Sequence, residues 1–428
     1  MDQRYVEKSK AVSNLIQDAM AGRLNRRDIL RRSAAVGMST AMIGAMLRFS
    51  ADAAAQDGTP AAPPTGDPVV IGCVYNLTGD YASLDNPARD GSLLAAKELS
   101  AAGGILGRPV TLQVYDGKSD LTEVSNVTRR LIDDDGVPVL AGLTDTSYVL
   151  AAGQLAQEAG IPMLDIGGTA PIITSIGDLI FMLPFGDNVQ AAVAAEYAGT
   201  QGYKTCAILK DDQSDYTLFL AQYFQDRFTM EDIGGEVVAE SSYASGDTDF
   251  SGQLTEFANL DPQPDFLFIS SGPSEIGTIV KQVRDNGIEL PIIGGDGYDT
   301  PLLLELAGED AEGTVFTTHE GVYGESELGA AFSTAFETEY GTPPPNVFAA
   351  LGYDGINLIA DAINRAGSLE GMAVRDALAA TSGFAGVTGV ITYEPGIRIP
   401  NKSVALIQVQ GGVFTLLQVG LPATVPEA

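Results

Sequence analysis

The sequence predicts an α/β protein made of two doubly wound, parallel-sheet lobes. Three observations carry this expectation. From Val69 onward, short apolar runs alternate with helical patterns. The runs are apolar along most of their length rather than at every second residue, as in strands covered on both faces. The chain, at 428 residues, is also longer than one compact core usually serves.

The elements follow in order. In the first stretch the spacing predicts strands at Val69–Val74, Val110–Tyr115, Val137–Ala141, Pro162–Ile166 and Ile180–Leu183, separated by helical patterns such as Gly91–Ala101, Thr122–Asp134 and Tyr148–Ala159. A second set begins near Asn188, with strands Thr205–Lys210, Glu236–Ser241, Phe266–Ser270, Pro291–Gly294 and Thr314–Thr317. Between these lie helices over Val189–Gln201, Thr217–Asp232, Phe250–Leu260 and Ser274–Asn286. Helical patterns at Leu328–Tyr340, Val347–Ala366 and Met372–Ala380, then strands Val404–Gln410 and Val413–Gln418, are too few for a third domain and are expected to complete the first two. The expected lobes are 69–187 plus 318–398 and 188–317 plus 399–424, so the chain crosses between them more than once.

Ahead of the first strand stands Asn25-Arg26-Arg27-Asp28-Ile29-Leu30-Arg31, then a mildly apolar stretch from Ser33 to Leu47 that ends near Ala53-Ala54-Ala55. This resembles a twin-arginine signal peptide over residues 1–55, with Asn25 and Ile29 as mild departures. Cleavage near Ala55 implies an exported protein, periplasmic or at the cell surface. A retained anchor is disfavoured, because a span needs roughly 20 apolar residues and Arg48 interrupts the run. Residues 56–68 (QDGTPAAPPTGDP) form a Pro-rich tether.

Residues 1–55 hold nine of the 24 basic residues and five of the 56 acidic ones, leaving a 373-residue chain with a net charge near −36. Such a field repels nucleic acid and anionic lipid, so neither is an expected partner, and no direct membrane insertion of the mature chain is expected. The only cysteines, Cys73 and Cys206, each fall inside an apolar run of a different lobe and read as buried thiols. Gly-rich phosphate loops, a Gly-x-Ser-x-Gly elbow and His-Glu-x-x-His are all missing, and His319 is the single histidine. No enzyme, cofactor or metal site is therefore expected. The run Asp133-Asp134-Asp135 reads as a solvated helix end.

Several landmarks together resemble a known family. Val69-Val70-Ile71-Gly72, Leu77-Thr78-Gly79, Asp90-Gly91, Ala102 to Arg108 and Tyr115-Asp116-Gly117 occur in order. Gly160-Ile161-Pro162, Gly167 to Pro171, Gly246 to Ser251, Pro264-Asp265 and Gly294-Gly295-Asp296-Gly297 follow. The chain is similar to the type I periplasmic binding proteins of ABC transporters, of the branched-chain amino acid (Leu/Ile/Val) kind. The resemblance implies two lobes closing on a small-molecule ligand in the cleft between them, and ABC permease subunits as partners. It also implies capture of an amino acid, with an amide, urea or aromatic acid as alternatives, and with ligand sensing as an alternative to transport. An exported α/β enzyme fits less well.

Candidate ligand residues come from both readings. Thr146 and Ser147 lie after strand Val137–Ala141 at a helix start, where hydroxyls and free N–H groups suit a carboxylate. Gly167 and Thr169 repeat the arrangement after Pro162–Ile166, with Pro171 just inside the next helix. Both places are at carboxyl ends of parallel strands, where open α/β sheets bind ligands. By the resemblance, Asp296 between two glycines holds the ligand ammonium, Tyr216 faces the cleft from the second lobe, and Tyr81 and Leu84 meet the ligand side chain. Asp145 departs from the pattern by placing an acid where a carboxylate would sit.

Overall fold

The computed structural model describes residues 63–324 and 326–427. The expected export segment, residues 1–55, and residues 56–62 of the tether lie outside the described residues. Among the described residues no helix is long and apolar enough to cross a membrane.

The first sheet has five strands: β1 (Val69–Tyr75), β2 (Val110–Asp116), β3 (Leu140–Gly142), β4 (Met163–Asp165) and β5 (Ile180–Met182), in the order β2-β1-β3-β4-β5. All its pairings are parallel. Side chains alternate along β1, so Ile71, Cys73 and Tyr75 join one buried cluster and Val74 joins the other. The second sheet contains β6 (Thr205–Asp211), β7 (Glu236–Tyr243), β8 (Phe266–Ser270), β9 (Ile292–Gly294), β10 (Val315–Thr318), β13 (Val404–Gln410) and β14 (Val413–Gly420). Their order is β14-β13-β10-β9-β8-β6-β7, with β13 and β14 antiparallel at one side. A small hairpin of β11 (Phe384–Gly386) and β12 (Gly389–Ile391) precedes β13.

Helices cover the sheets. Around the first are α1 (Ala82–Ala101), α2 (Leu121–Arg129) and α3 (Thr146–Ala159). In the second set come α4 (Asp187–Thr200), α5 (Asp215–Phe228), α6 (Ser251–Ala258), α7 (Ile276–Asp285) and α8 (Pro301–Ala307). The later helices are α9 (Glu327–Tyr340), α10 (Phe348–Ala366) and α11 (Gly371–Ala379), and α10 lies against α1, β3 and β4. The α1–α10 crossing is close because glycines face each other's backbone. A Cβ on Gly91 would lie 1.8 Å from Ala349 O, and one on Gly352 would lie 1.8 Å from Ala88 O.

α1 begins nine residues before the expected Gly91. Pro87 lies inside it and reads as a breaker in sequence, since it cannot donate to the carbonyl four residues back. That carbonyl, Ser83 O, accepts instead from Asn346 Nδ2 at 3.0 Å. The helix continues because a distant side chain replaces the missing donor. The helical pattern Thr122–Asp134 likewise resolves into α2 followed by a π-type turn, Arg130–Asp134. Both cysteines are free and buried.

Candidate functional site

Three chain passages join the lobes: after β5, after β10 and between β12 and β13. Lys402, on the third, is buried and donates through Nζ to Thr388 Oγ1 (2.7 Å) and to Leu183 O on the first (3.3 Å). Burial brings its pKa down to about 8, against the pull of the nearby Asp354 carboxylate. His319, on the second passage, is fully buried and stacks on Phe185 of the first with ring centroids 3.9 Å apart. Neither ring nitrogen has a hydrogen-bond partner. Burial, reinforced by Lys402, pushes its pKa well down, so the ring is neutral. The single histidine is therefore a packing element of the hinge.

The carboxyl ends of β1, β3 and β4 face those of β6, β8 and β9 across a narrow cleft. Asp215 N, at the start of α5, donates to Ser147 Oγ of α3 (3.1 Å), and Thr300 Oγ1 donates to Ser83 Oγ (3.0 Å). Within the cleft is a cavity whose volume open to the centre of a water molecule is about 10 Å³, room for about one water. The first lobe lines it with Tyr81, Leu84, Thr144, Gly167, Thr169 and Phe348, the second with Tyr216, Asp296 and Gly297.

Asp296 is held from several sides. Gln190 Nε2, from the first turn of α4, donates to Asp296 Oδ1 (2.9 Å) and also to Asp187 Oδ1 (2.8 Å), bridging the two acids. Gln190 Oε1 in turn accepts from Asp296 N (3.2 Å) and from Thr317 Oγ1 (2.9 Å). Tyr216 Oη accepts from Gly297 N at 3.0 Å. The flanking glycines make this fit possible: a Cβ on Gly295 would stand 2.4 Å from Leu220 Cδ2 and 2.7 Å from Tyr216 Oη, and one on Gly297 would stand 2.5 Å from Ser271 O.

The surroundings are rich in buried acids. Burial pushes Asp296 up to about 6, with the Gln190 and Tyr216 hydrogen bonds pulling it back. Asp145, also pushed up to about 6 by burial, caps α3 by accepting from Ser147 N (2.9 Å) and accepts from Ser214 Oγ across the cleft (3.4 Å). Burial raises Asp187 as well, with the Asp296 charge adding to it, and Asp85 reaches about 7 for the same primary reason. Among the described residues, no lysine, arginine or histidine lines the cavity.

Six of the eight residues singled out in the sequence line this one cavity: Tyr81, Leu84, Gly167, Thr169, Tyr216 and Asp296. Thr146 and Ser147 do not, because their hydroxyls are engaged elsewhere. Thr146 Oγ1 accepts from Ala170 N (3.3 Å), tying the two strand-end loops together, and Ser147 Oγ serves the contact between lobes. Sequence reasoning missed Thr144, Phe348, Gln190 and Asp187. Thr144 stands beside positions already marked; Asp187 and Gln190 lie in the first turn of α4 and Phe348 arrives from α10, and no local signal points to them.

Residues 68–413 match the family model described as periplasmic binding protein. The chain belongs to the periplasmic binding protein family. It is a solute-binding protein of the ABC-transporter type, in a family of solute-binding proteins rather than enzymes. This binding protein is 27% identical over 330 residues to the leucine-, isoleucine-, valine-, threonine-, and alanine-binding protein of Pseudomonas aeruginosa, covering 77% of this chain and 86% of the relative. It superposes with a TM-score of 0.77 and 29% identity on the branched-chain amino acid transporter substrate binding protein LivJ from Streptococcus pneumoniae, solved with isoleucine, covering 83% of this chain and all of that one. A solute binding protein of an ABC transporter from Rhodopseudomonas palustris, solved with 3,4-dihydroxy benzoic acid, matches with a TM-score of 0.75 and 25% identity over 84% of this chain and 99% of the other. The fold is thus shared by proteins solved with ligands of different chemistry.

Proposed function

We propose that this periplasmic binding protein captures a small amine- or amide-bearing solute in the interlobe cleft and delivers it to an ABC importer. Export through the twin-arginine-type segment, with cleavage near Ala55, and lobes of 69–187 plus 318–398 and 188–317 plus 399–424 belong to the same proposal. The observation that carries it is Asp296. A buried carboxylate without a paired cation is costly, and Asp296 faces the cavity, held in place by Gln190 and Tyr216. A ligand ammonium or amide N–H offsets that cost. Tyr81, Leu84 and Phe348 give the opposite wall an apolar surface for the rest of the solute, with Gly167 and Thr169 beside them. Thr146 and Ser147 act one step away, Thr146 by fixing the loop that carries Thr169 and Ser147 by joining the lobes.

A thermal-shift screen of the full-length protein against amino acids, their amides, urea and aromatic acids tests this reading, since a ligand that binds the native state alone raises its melting temperature. Shifts are expected with compounds bearing an amino or amide nitrogen. Shifts confined to benzoate-type acids would keep solute binding and remove Asp296 from the role of ammonium partner.

A further inference from the structure

The cleft has an acceptor for a cation but few free donors for an anion. At the start of α3, Asp145 occupies Ser147 N (2.9 Å). In the neighbouring loop, Asp165 Oδ1 accepts from Gly167 N (3.1 Å) and Gly168 N (2.7 Å), and Thr146 Oγ1 accepts from Ala170 N (3.3 Å). Four N–H groups at the two helix or turn starts that suit a carboxylate are thus already taken by the protein's own oxygens. Meanwhile buried polar oxygens stand around the cleft with capacity left. Asp187 Oδ2, Asp165 Oδ2 and Asp85 Oδ1 are buried without hydrogen-bond partners, and so is Thr144 Oγ1, which lines the cavity itself.

The charges point the same way. Asp85, Asp165, Asp187 and Asp296 each lie close enough to Asp145 to feel its charge. No basic side chain lines the cavity among the described residues. A ligand carboxylate entering this wall meets like charge in a low-dielectric space, where repulsion is strongest; an ammonium or amidinium meets the Asp296 carboxylate and the Thr144 hydroxyl.

We propose that the solute is a small organic cation without a carboxylate, an amine or amidine that presents N–H donors to both lobes. This rests on the proposed function, since it keeps solute capture and the Asp296 contact and narrows the solute to a carboxylate-free class. Asp145 sets that specificity. Its carboxylate closes the start of α3, accepts from Ser214 of the second lobe (3.4 Å) and keeps anions out.

The test is calorimetric titration of the full-length protein with matched pairs that differ only in the carboxylate: leucine and 3-methylbutylamine, phenylalanine and phenethylamine, arginine and agmatine. At least one amine is expected to bind tenfold or more tightly than its parent amino acid. Asp145→Ser, which retains a helix-capping oxygen, is expected to narrow or reverse that preference by about tenfold. Amino acids binding as tightly as their amines in the wild-type protein overturn the inference while leaving solute capture standing. Absence of binding by amines and amino acids alike overturns both the inference and the nitrogen-ligand reading beneath it. The wild-type comparison decides the matter whether or not the variant folds.

Discussion

Replacing Asp296 by Asn removes one charge from the cleft and almost no volume, and it moves binding and stability in opposite directions. Asp296 is 2% exposed and its pKa is pushed up from 3.8 to about 6. One pKa unit corresponds to about 1.4 kcal/mol, so holding the ionised carboxyl in the ligand-free protein costs on the order of 3 kcal/mol at neutral pH. Asn retains a carbonyl oxygen for Gln190 Nε2 and relieves the repulsion with Asp187. The ligand-free variant is therefore expected to melt a few degrees above the wild type at pH 7.5. Binding moves the other way: removing one member of a desolvated charge pair costs about 2–5 kcal/mol, or roughly 30- to 5,000-fold in affinity. Calorimetry with the tightest amine from the screen gives the second quantity and differential scanning the first. An Asp296→Asn protein that binds within threefold of the wild type, or that melts lower without ligand, refutes the electrostatic account of the site.

Further outcomes follow from the same geometry. The folded-state pKa values of Asp85, Asp145, Asp296 and Asp299 lie near 6 to 7, above 3.8, so the stability they contribute is present at low pH and lost as pH rises through that range. The lowered acids Asp232, Asp249 and Asp265 titrate below it, and the neutral buried His319 opposes the four raised acids in this window but is outnumbered by them, so the ligand-free melting temperature should be higher at pH 5 than at pH 7.5; the reverse order rejects the assignment. Lys402→Met takes away the donor to Leu183 O and Thr388 Oγ1 and the nearby positive charge that favours the Asp354 carboxylate, and it is expected to cost about 1–3 kcal/mol in urea unfolding, a loss under about 0.5 kcal/mol being inconsistent with it. Gly297→Ala drives a Cβ to 2.5 Å from Ser271 O and should cost about 1–3 kcal/mol along with ligand binding. Gly252→Ala in α6, with nothing within 4 Å, serves as the neutral control, and equal effects at the two glycines would contradict the packing argument.

The strands are the most legible part of the sequence. Phe266–Ser270 and Val404–Gln410 are the observed β8 and β13 to the residue, because continuous apolar runs bounded by polar turns have few other places to go. Helix starts are harder. Pro87 hides the first turns of α1, since its tolerance depends on Asn346, more than 250 residues away. α8 is missing from the sequence expectation although Thr300 and Pro301 form an ordinary cap and first turn. In the site, residues on strand-end loops are readable since topology sends them to one cleft. The hydroxyls of Thr146 and Ser147 are not readable as scaffold, because only folding brings Ala170 and Asp215 to them. Gln190 bridges two acids far apart in the chain, Asp187 and Asp296, and such a role leaves no mark in a linear sequence.

A cavity with room for about one water makes the cleft a lock in time as well as in space. A solute larger than water needs more room at Asp296 than the cleft gives while the Ser147–Asp215, Ser83–Thr300 and Asp145–Ser214 contacts hold, so arrival and departure both wait on the same opening motion. Residence time is then set by how often the lobes separate, and tight ligands differ from weak ones chiefly in how long they stay. A carrier of this kind cannot unload quickly by itself. Release asks for the same three hydrogen bonds across the cleft to part that held the solute in.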